Sequence, residues 1–463
     1  MTHRPQASPY RPETAIHSLG AAFFDPVKAA DFPQTILRFR NDRWSQTVGL
    51  AGFSDEEWIR HFGRFQPLPD NLPEPLALRY HGHQFRSYNP DIGDGRGFLF
   101  AQMRDDRGRL MDLGTKGSGQ TPYSRFGDGR LTLKGGVREI LATEMLEALG
   151  VETSKTFSLI ETGEALERND EPSPTRGAVL VRLQHSHIRI GTFQRLAYFG
   201  EAENVRQLTD YCLEQYYGEG GGEDGPARLL AHVTREAARL AASYVAAGFV
   251  HGVLNSDNIA ITCQSFDYGP WRWTPYWDGS FTAAYFDHAG LYAFGRQPEA
   301  IYWDVAQLAG AMRLVTDIEP LKPVLEEYPA IFQDELCTAI CLRLGVKRRG
   351  AEEDSALLVA IETALSEKTV TIDRFFFDWR GGSLRGPGDL YQDDAFSAFR
   401  EKIGAYEAAA SLNHDYWSDA EPCSMHIEEV EAIWSRIDEA DDWSALEAKV
   451  AAVRRMGEAL AGA

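Results

Sequence analysis

In the stretch HGVLNSDNIAITCQSFDYGP (251–270), Asn258 and Asp267 stand nine residues apart across what reads as a tight β connection. Two oxygen donors at that spacing suit Mg²⁺, which takes one or two protein ligands and leaves the rest of its shell to water and phosphate. Each residue alone reads as a turn former. Together, with Gly269 after the aspartate, they read as a metal pair. Asp257, beside Asn258, is either a second carboxylate in that site or another turn residue.

A nucleotide at such a metal needs donors for its phosphates, and other stretches offer them. GDGRG (93–97) precedes a strand and is either an ordinary turn or a loop whose amides approach phosphate oxygens, with Arg96 adding a fork of donors. Lys116, in LGTKGSG, is either solvated or a phosphate holder that needs a carboxylate to position it. Glu139 lies in the helix that follows and supplies that carboxylate if it turns inward; otherwise it is a surface acid, as Glu144 and Glu147 on the same helix are expected to be. Arg182 and Arg189 flank the His-rich turn in VRLQHSHIRIGTF, where a bend brings both to one pocket or each forms a salt bridge. His185 and His187 alternate without a third metal-ligating neighbour and read as structural.

The elements that must hold these residues follow from patterning. GRGFLFAQMRDDRGRLMDLGTKGSG (95–119) reads as two strands around a turn at Asp105–Gly108. KGGVREILATEMLEALG (134–150) reads as a helix with Val137, Ile140, Leu141, Met145, Leu146 and Leu149 on one face and Gly150 as its stop. TFSLIETGE and GAVLVRLQ read as two more strands, GEGGGEDGP (218–226) as an exposed loop, and 227–248 as a long helix ended by Gly248. From about residue 299 the pattern is helical. The fold class expected is α+β. A small β-rich lobe before a larger helical one is a protein-kinase-like two-lobed layout. The expected organisation is an N-terminal extension over 1–90 packed on the core, an N-lobe over 91–217, a C-lobe over 218–400 and a helical tail over 401–463. His251, Asn258 and Asp267-Tyr268-Gly269 come close to the kinase catalytic loop and its metal-binding Asp-Phe-Gly, but Val253 stands where a kinase keeps its base.

Composition narrows the function classes. The formal net charge is −21, from 68 acidic against 47 basic residues, and such a surface repels nucleic acid. A small nucleotide in one cationic pocket remains compatible with it. No run of 18 apolar residues occurs and the start, MTHRPQASPYRPETA, has no signal-peptide core, so no membrane and a cytoplasmic location are expected. Cys212, Cys263, Cys337, Cys341 and Cys423 are too sparse for a disulfide scaffold and read as free thiols.

GHQF, GDGRG, LGTKGSGQTPYSRFGDGR, VREILATEMLEALG, SHIRIGTF, HGVLNSDN and DYGP occur in that order. Over roughly residues 70–315 the chain resembles the selenoprotein O (SelO, also YdiU) family. The resemblance implies a kinase-like pseudokinase fold that binds ATP in a flipped orientation. It also implies transfer of AMP to Ser, Thr or Tyr hydroxyls of other proteins, with Mg²⁺ or Mn²⁺. By the same resemblance Lys116, Arg182 and Arg189 grip the β- and γ-phosphates and Glu139 orients Lys116. Gly93, Gly95, Arg96, Asp128 and Gly129 shape the nucleotide pocket, Asn258 and Asp267 bind the metal, and Asp257 accepts the proton. Protein substrates and a monomer are expected. Two rival readings are a phosphotransferase, against which Val253 argues, and a nucleotide-binding scaffold without turnover, against which the full set of Lys116, Glu139, Asn258 and Asp267 argues.

The chain departs from the family pattern in places. HQFR stands for HQFG, and Gly135-Gly136-Val137-Arg138-Glu139 for Ser-Ser-Ile-Arg-Glu, which should loosen the helix start and the placement of Glu139. Ala283 stands where some members have Cys in the activation-segment region (279–298), and no Cys lies near Ala463. The Asn-Pro and Arg-Asn signature expected near the family's end is missing. No redox switch between that segment and the C-terminus is therefore expected; an activity-controlling intramolecular disulfide on a non-reducing gel would refute this.

Overall fold

A computed structural model describes residues 8–169 and 171–462; Ala463 and the first seven residues of the expected extension lie outside them. The architecture is mixed α+β, with a sheet-rich first part and a helical second part. Nine strands among the described residues form one sheet. They are β1 (Pro12–Glu13), β2 (Phe24–Pro26), β3 (Ile36–Arg40), β4 (Leu76–Leu78), β7 (Leu99–Arg104), β8 (Leu110–Lys116), β9 (Leu131–Thr132), β10 (Lys155–Leu166) and β11 (Thr175–Gln184). The central order is β2-β4-β7-β8-β11-β10-β3, with β1 on β7 and β9 on β11. A separate hairpin pairs β5 (Gly82–Gln84) with β6 (Ser87–Asn89).

The expected strand pair over 95–119 is the β7–β8 hairpin. Asp105 closes its turn by accepting the backbone N–H groups of Arg107 and Arg109 on Oδ1. Residues 1–90 differ from their reading as an extension packed on the core, because β1 to β4 are strands of the sheet itself. Their strands are only two to five residues long, too short to leave a period in the sequence.

Alternation along the strands separates two faces. Met111 and Leu113 of β8 and Val179, Val181 and Leu183 of β11 join a core with Trp58 and Phe62. Those two aromatics lie on α2 (Asp55–Phe62), which Ser54 and Glu57 start with reciprocal capping bonds; α1 (Asp42–Thr47) precedes it. The opposite face, with Leu180 and Ala178, packs on α3 (Leu133–Ala148). Lys116 and Arg182 fall on this second face by parity. In register, Lys116 stands opposite Leu180, and Arg182 opposite Gly114.

Helix α3 begins where the sequence predicts, with the Thr132 hydroxyl accepting from the Gly135 N–H. It runs unbroken through Gly135-Gly136, and Gly136 is packed so closely on Leu159 of β10 that a side chain there would collide. The expected loosening of the helix is therefore absent, since the glycine serves close approach of helix and strand. Glu144 is a correction as well. It is buried, at 4% exposure, rather than a surface acid, because Arg454 from the C-terminal helix pairs with it. Glu147 is half-buried against Arg43.

After α4 (Ile190–Tyr198) and α5 (Ala202–Cys212), the long α6 (Gly225–Ala247) ends at Gly248, whose φ of 70° is left-handed. The minimal β12 (Phe249–Val250) and β13 (Arg272–Trp273) bracket the 251–270 loop. Then come α7 (Gln297–Met312), α8 (Lys322–Glu326), α9 (Tyr328–Leu344), α10 (Ala351–Leu365), α11 (Ile372–Asp378) and α12 (Ser397–Ile403). The last two helices, α13 (Ile427–Ala440) and α14 (Ser444–Ala461), return to the first half of the chain. Lys134 of α3 pairs with Glu431 at 2.7 Å, Arg176 of β11 with Asp441 at 2.7 Å, and Gly457 lies on Ala148. No helix among the described residues is long and apolar enough to cross a membrane, and all five cysteines are free thiols.

Candidate active site

A cleft of about 900 Å³ opens between the sheet and the 251–270 loop. It collects Gly93, Gly95, Arg96, Lys116, Asp128, Gly129, Arg182, Arg189, Asp257 and Asp267 on one wall system. Residues from five separate stretches meet there because β8 and β11 end at it and the loop after α6 crosses beneath them.

Lys116 is the centre of the charge arrangement. Its Nζ donates to Glu139 Oε1 at 2.5 Å and lies 2.7 Å from Asp267 Oδ1. Glu139 is only 1% exposed, so this carboxylate turns inward. Arg182 Nη1 lies 3.6 Å from the same Asp267 oxygen. Burial opposes ionisation of Asp267, but Lys116, Arg182, Arg96 and Arg189 outweigh it and hold the carboxyl well below the ordinary range. Asp267 has φ 64°, a left-handed conformation that Asp tolerates better than most residues.

Arg189 is held from three sides. It donates to the Asp257 carbonyl at 2.9 Å and to Asp94 Oδ1 at 3.3 Å, and its guanidinium stacks 4.3 Å over Tyr80 and 4.8 Å over Phe266. Arg182 lies over the same Phe266 at 5.1 Å. Both arginines are nearly sealed, and Arg182 Nη1 and Arg189 Nε have no hydrogen-bond partner among the described residues. Buried guanidinium N–H groups without a hydrogen-bond partner, on side chains that line a cleft, are donors suited to an anion.

Asp257 contrasts with Asp267. Burial pushes its carboxyl up to about 7, only partly countered by Arg189, and its Oδ1 has no hydrogen-bond partner among the described residues. Gly82 makes that position possible, since a Cβ there would stand 2.6 Å from Asp257 Oδ1. The β5–β6 hairpin is stitched to the loop by His83 N–H to Ser256 Oγ at 2.7 Å and Phe85 N–H to Asn255 Oδ1 at 3.0 Å.

Asn258 is not among the side chains lining the cleft; its amide donates to the Val253 carbonyl at 3.0 Å. Asp128 sits at the rim, half-exposed and paired with Arg168 at 2.9 Å. His187 is buried against Asp112, and burial holds both His185 and His187 below the usual imidazole range, in keeping with structural roles. Sequence reading assigned no role to Asp94, Tyr80, Gly82 and Phe266. The first lay inside the GDGRG stretch unremarked, and Gly82 is the first residue of the quoted GHQF.

No group of three His, Cys, Asp or Glu converges as a metal cluster among the described residues. The carboxylate of Asp267 is nonetheless a hard donor at the cleft floor, and it fits a Mg²⁺-like ion that takes few protein ligands and completes its shell with phosphate.

A family model described as "Protein adenylyltransferase SelO" matches residues 8–385. The protein nucleotidyltransferase YdiU of Synechocystis sp. is 50% identical over 340 residues, which cover 72% of this chain and 70% of that one. Its namesake from Synechococcus elongatus is 50% identical over 352 residues, 75% and 69% of the two chains. The one from Gloeobacter violaceus is 42% identical over 456 residues, 93% and 92%.

Proposed function

The chain belongs to the SelO family, and from that membership we propose that it is a protein adenylyltransferase, moving AMP from ATP to a hydroxyl of a target protein and releasing pyrophosphate. The observation that carries the reading is the division of the cleft. Arginine N–H groups without a partner lie with Lys116 at one part of it, and a buried carboxylate with a free oxygen at another.

ATP lies in the flipped orientation in a kinase-like cleft, with Lys116, Arg182 and Arg189 on its β- and γ-phosphates. Glu139 fixes Lys116. The N–H groups around Gly93, Gly95 and Gly129, with Arg96 and Asp128, shape the pocket. Asp257 accepts the proton of the incoming Ser, Thr or Tyr hydroxyl as its oxygen bonds the α-phosphorus and the bond to pyrophosphate breaks. Asp267 and Asn258 would hold Mg²⁺ or Mn²⁺, and the ion, when bound, would neutralise phosphate charge. Transfer of this kind relies mainly on positioning and charge stabilisation, which is why Val253 at the kinase base position is tolerable. The cytoplasmic location and the monomer expected from the sequence accord with this role.

The test is transfer from ATP labelled at the α- or the γ-phosphate, with Mg²⁺ or Mn²⁺. The expected outcome is α-label on protein, lost in Asp267→Ala. Label from the γ-position instead would make the protein a phosphotransferase, and binding of ATP with neither label moving to any protein would favour the scaffold.

A further inference from the structure

Phe85, Phe286 and Tyr285 are 36%, 42% and 80% exposed. They are not scattered. Phe85 lies 5.8 Å from Phe286 and 5.0 Å from Tyr292, and Phe286 lies 5.1 Å from Tyr285. Contiguous exposed aromatics of this kind mark binding surfaces more often than chance.

The shelf is tied rigidly to the cleft floor. Asn255 Oδ1 accepts both the Phe85 N–H at 3.0 Å and the Tyr292 hydroxyl at 2.7 Å, and Asn255 is two residues from Asp257. Gln84, which precedes Phe85, lines the cleft itself. The turn presenting Tyr285 and Phe286 is fixed from within by buried Asp287, whose carboxylate accepts the N–H groups of Leu291 and Tyr292, each at 2.8 Å. Phe85 and Arg86 both have left-handed φ, 50° and 63°, a backbone cost met at the position that turns the Phe85 ring outward.

The rest of the cleft mouth carries Arg96, Arg125, Arg130 and Arg168, the last two paired with Glu164 and Asp128. That side suits the nucleotide. The aromatic side is joined to the Asp257 loop through Asn255, and the arginines beside it, Arg86 and Arg296, are both paired with Glu299.

We propose that Phe85, Phe286 and Tyr285 form the acceptor-docking shelf, which takes an extended segment of the target protein with large apolar side chains beside the hydroxyl residue. The proposal rests on the adenylyltransferase reading for the identity of the acceptor. An apolar flank laid on these rings leaves water while the hydroxyl reaches Asp257, and partial burial of one or two such side chains is worth about fivefold or more in affinity.

Two fluorescein-labelled nonapeptides with a central serine test this, one with leucine and phenylalanine beside the serine and one with alanines there. Anisotropy titrations use the full chain and its Tyr285→Ser/Phe286→Ser variant; both sites are exposed, so folding is preserved, and ATP binding by the variant checks it. The wild type should bind the apolar-flanked peptide about fivefold or more tightly than the other, and the variant should bind both alike. Absence of that preference in the wild type, binding of neither peptide included, or its survival in the variant overturns the shelf. Running both ATP labels on the same peptides separates the two readings. Transfer of the γ-label with the preference intact sinks adenylylation alone, and transfer of the α-label without preference sinks the shelf alone.

Discussion

At the scale of single residues, Gly82 is the sharpest lever. A Cβ there meets Asp257 Oδ1 at 2.6 Å and its Cβ at 2.8 Å, so Gly82→Ala must displace the carboxylate. We expect AMP transfer to fall roughly a hundredfold, the scale of an ångström-level misplacement, while ATP affinity measured by calorimetry stays at the wild-type level. Lys116→Ala acts on the other substrate. Removing a charge-assisted bond worth roughly 1.5–3 kcal/mol should raise the Kd for ATP about tenfold or more; an unchanged Kd would mean that Lys116 does not touch the nucleotide. Residue type and order singled out Lys116, Glu139, Asp267, Arg182 and Arg189, and the structure brings them to one cleft from different settings: Lys116 ends β8, Arg182 lies near the end of β11, Arg189 precedes α4, Glu139 lies within α3 and Asp267 in the loop after α6. Asp94 was not singled out, since its partner Arg189 is 95 residues away and no local spacing links them. The turn of the Asn258 amide toward Val253 is a local hydrogen bond that no spacing encodes.

At the scale of elements, α3 is supported from its far side by the C-terminal helices. Arg454 grips Glu144 with two bonds, at 2.6 and 2.8 Å, on the helix whose next turn carries Glu139. Arg454→Ala strands a buried carboxylate. We expect a loss of about 2 kcal/mol by urea denaturation, below the 3–5 kcal/mol of a fully buried pair because Arg454 keeps part of its side chain in water and Arg43 lies 3.6 Å from Glu144. The reversal Glu144→Arg with Arg454→Glu should recover part of it. Asp441 links α13 to the sheet. Its carboxyl is held down to about 2 by bonds from Arg176 and Trp443. A depressed pKa contributes stability above the unfolded value, near 3.8, and loses it as pH falls toward 2. Asp441→Asn should therefore lower the urea midpoint slightly at pH 6 and about half as much at pH 3; an equal effect at both would remove the charge from the explanation. The sequence marked α3, the β7–β8 hairpin and α6 well, through period and glycine stops. It marked the docking of α13 and α14 not at all, because an exposed-looking Glu144 differs from a buried one only by a partner 310 residues on.

At the scale of the molecule, the largest core does not respect the expected boundaries. It runs from Ile16 and Leu78 through Ile140 of α3, Leu240 of α6 and Ile301 of α7 to Val453 of α14. Trp58, Trp271 and Trp379 sit in the three separate cores. Since the first core borders both others, tryptophan fluorescence and far-UV circular dichroism should lose signal at one urea concentration; an early transition would show that the α9–α12 core melts alone. The α+β class was readable, but the weaving of residues 12–78 into the sheet was not, because short strands gain their order from neighbours rather than from their own sequence. The clasp of α14 on α3 has one more consequence, in time rather than space. At about 5–20 residues per second, a ribosome delivers Arg454 roughly 15–60 s after Glu144. For that interval the helix bearing Glu139 has its sheet but not its outer support. The Lys116–Glu139 contact is thus braced late in synthesis, and a stalled chain that ends before residue 427 would carry a nucleotide cleft with an unbraced wall.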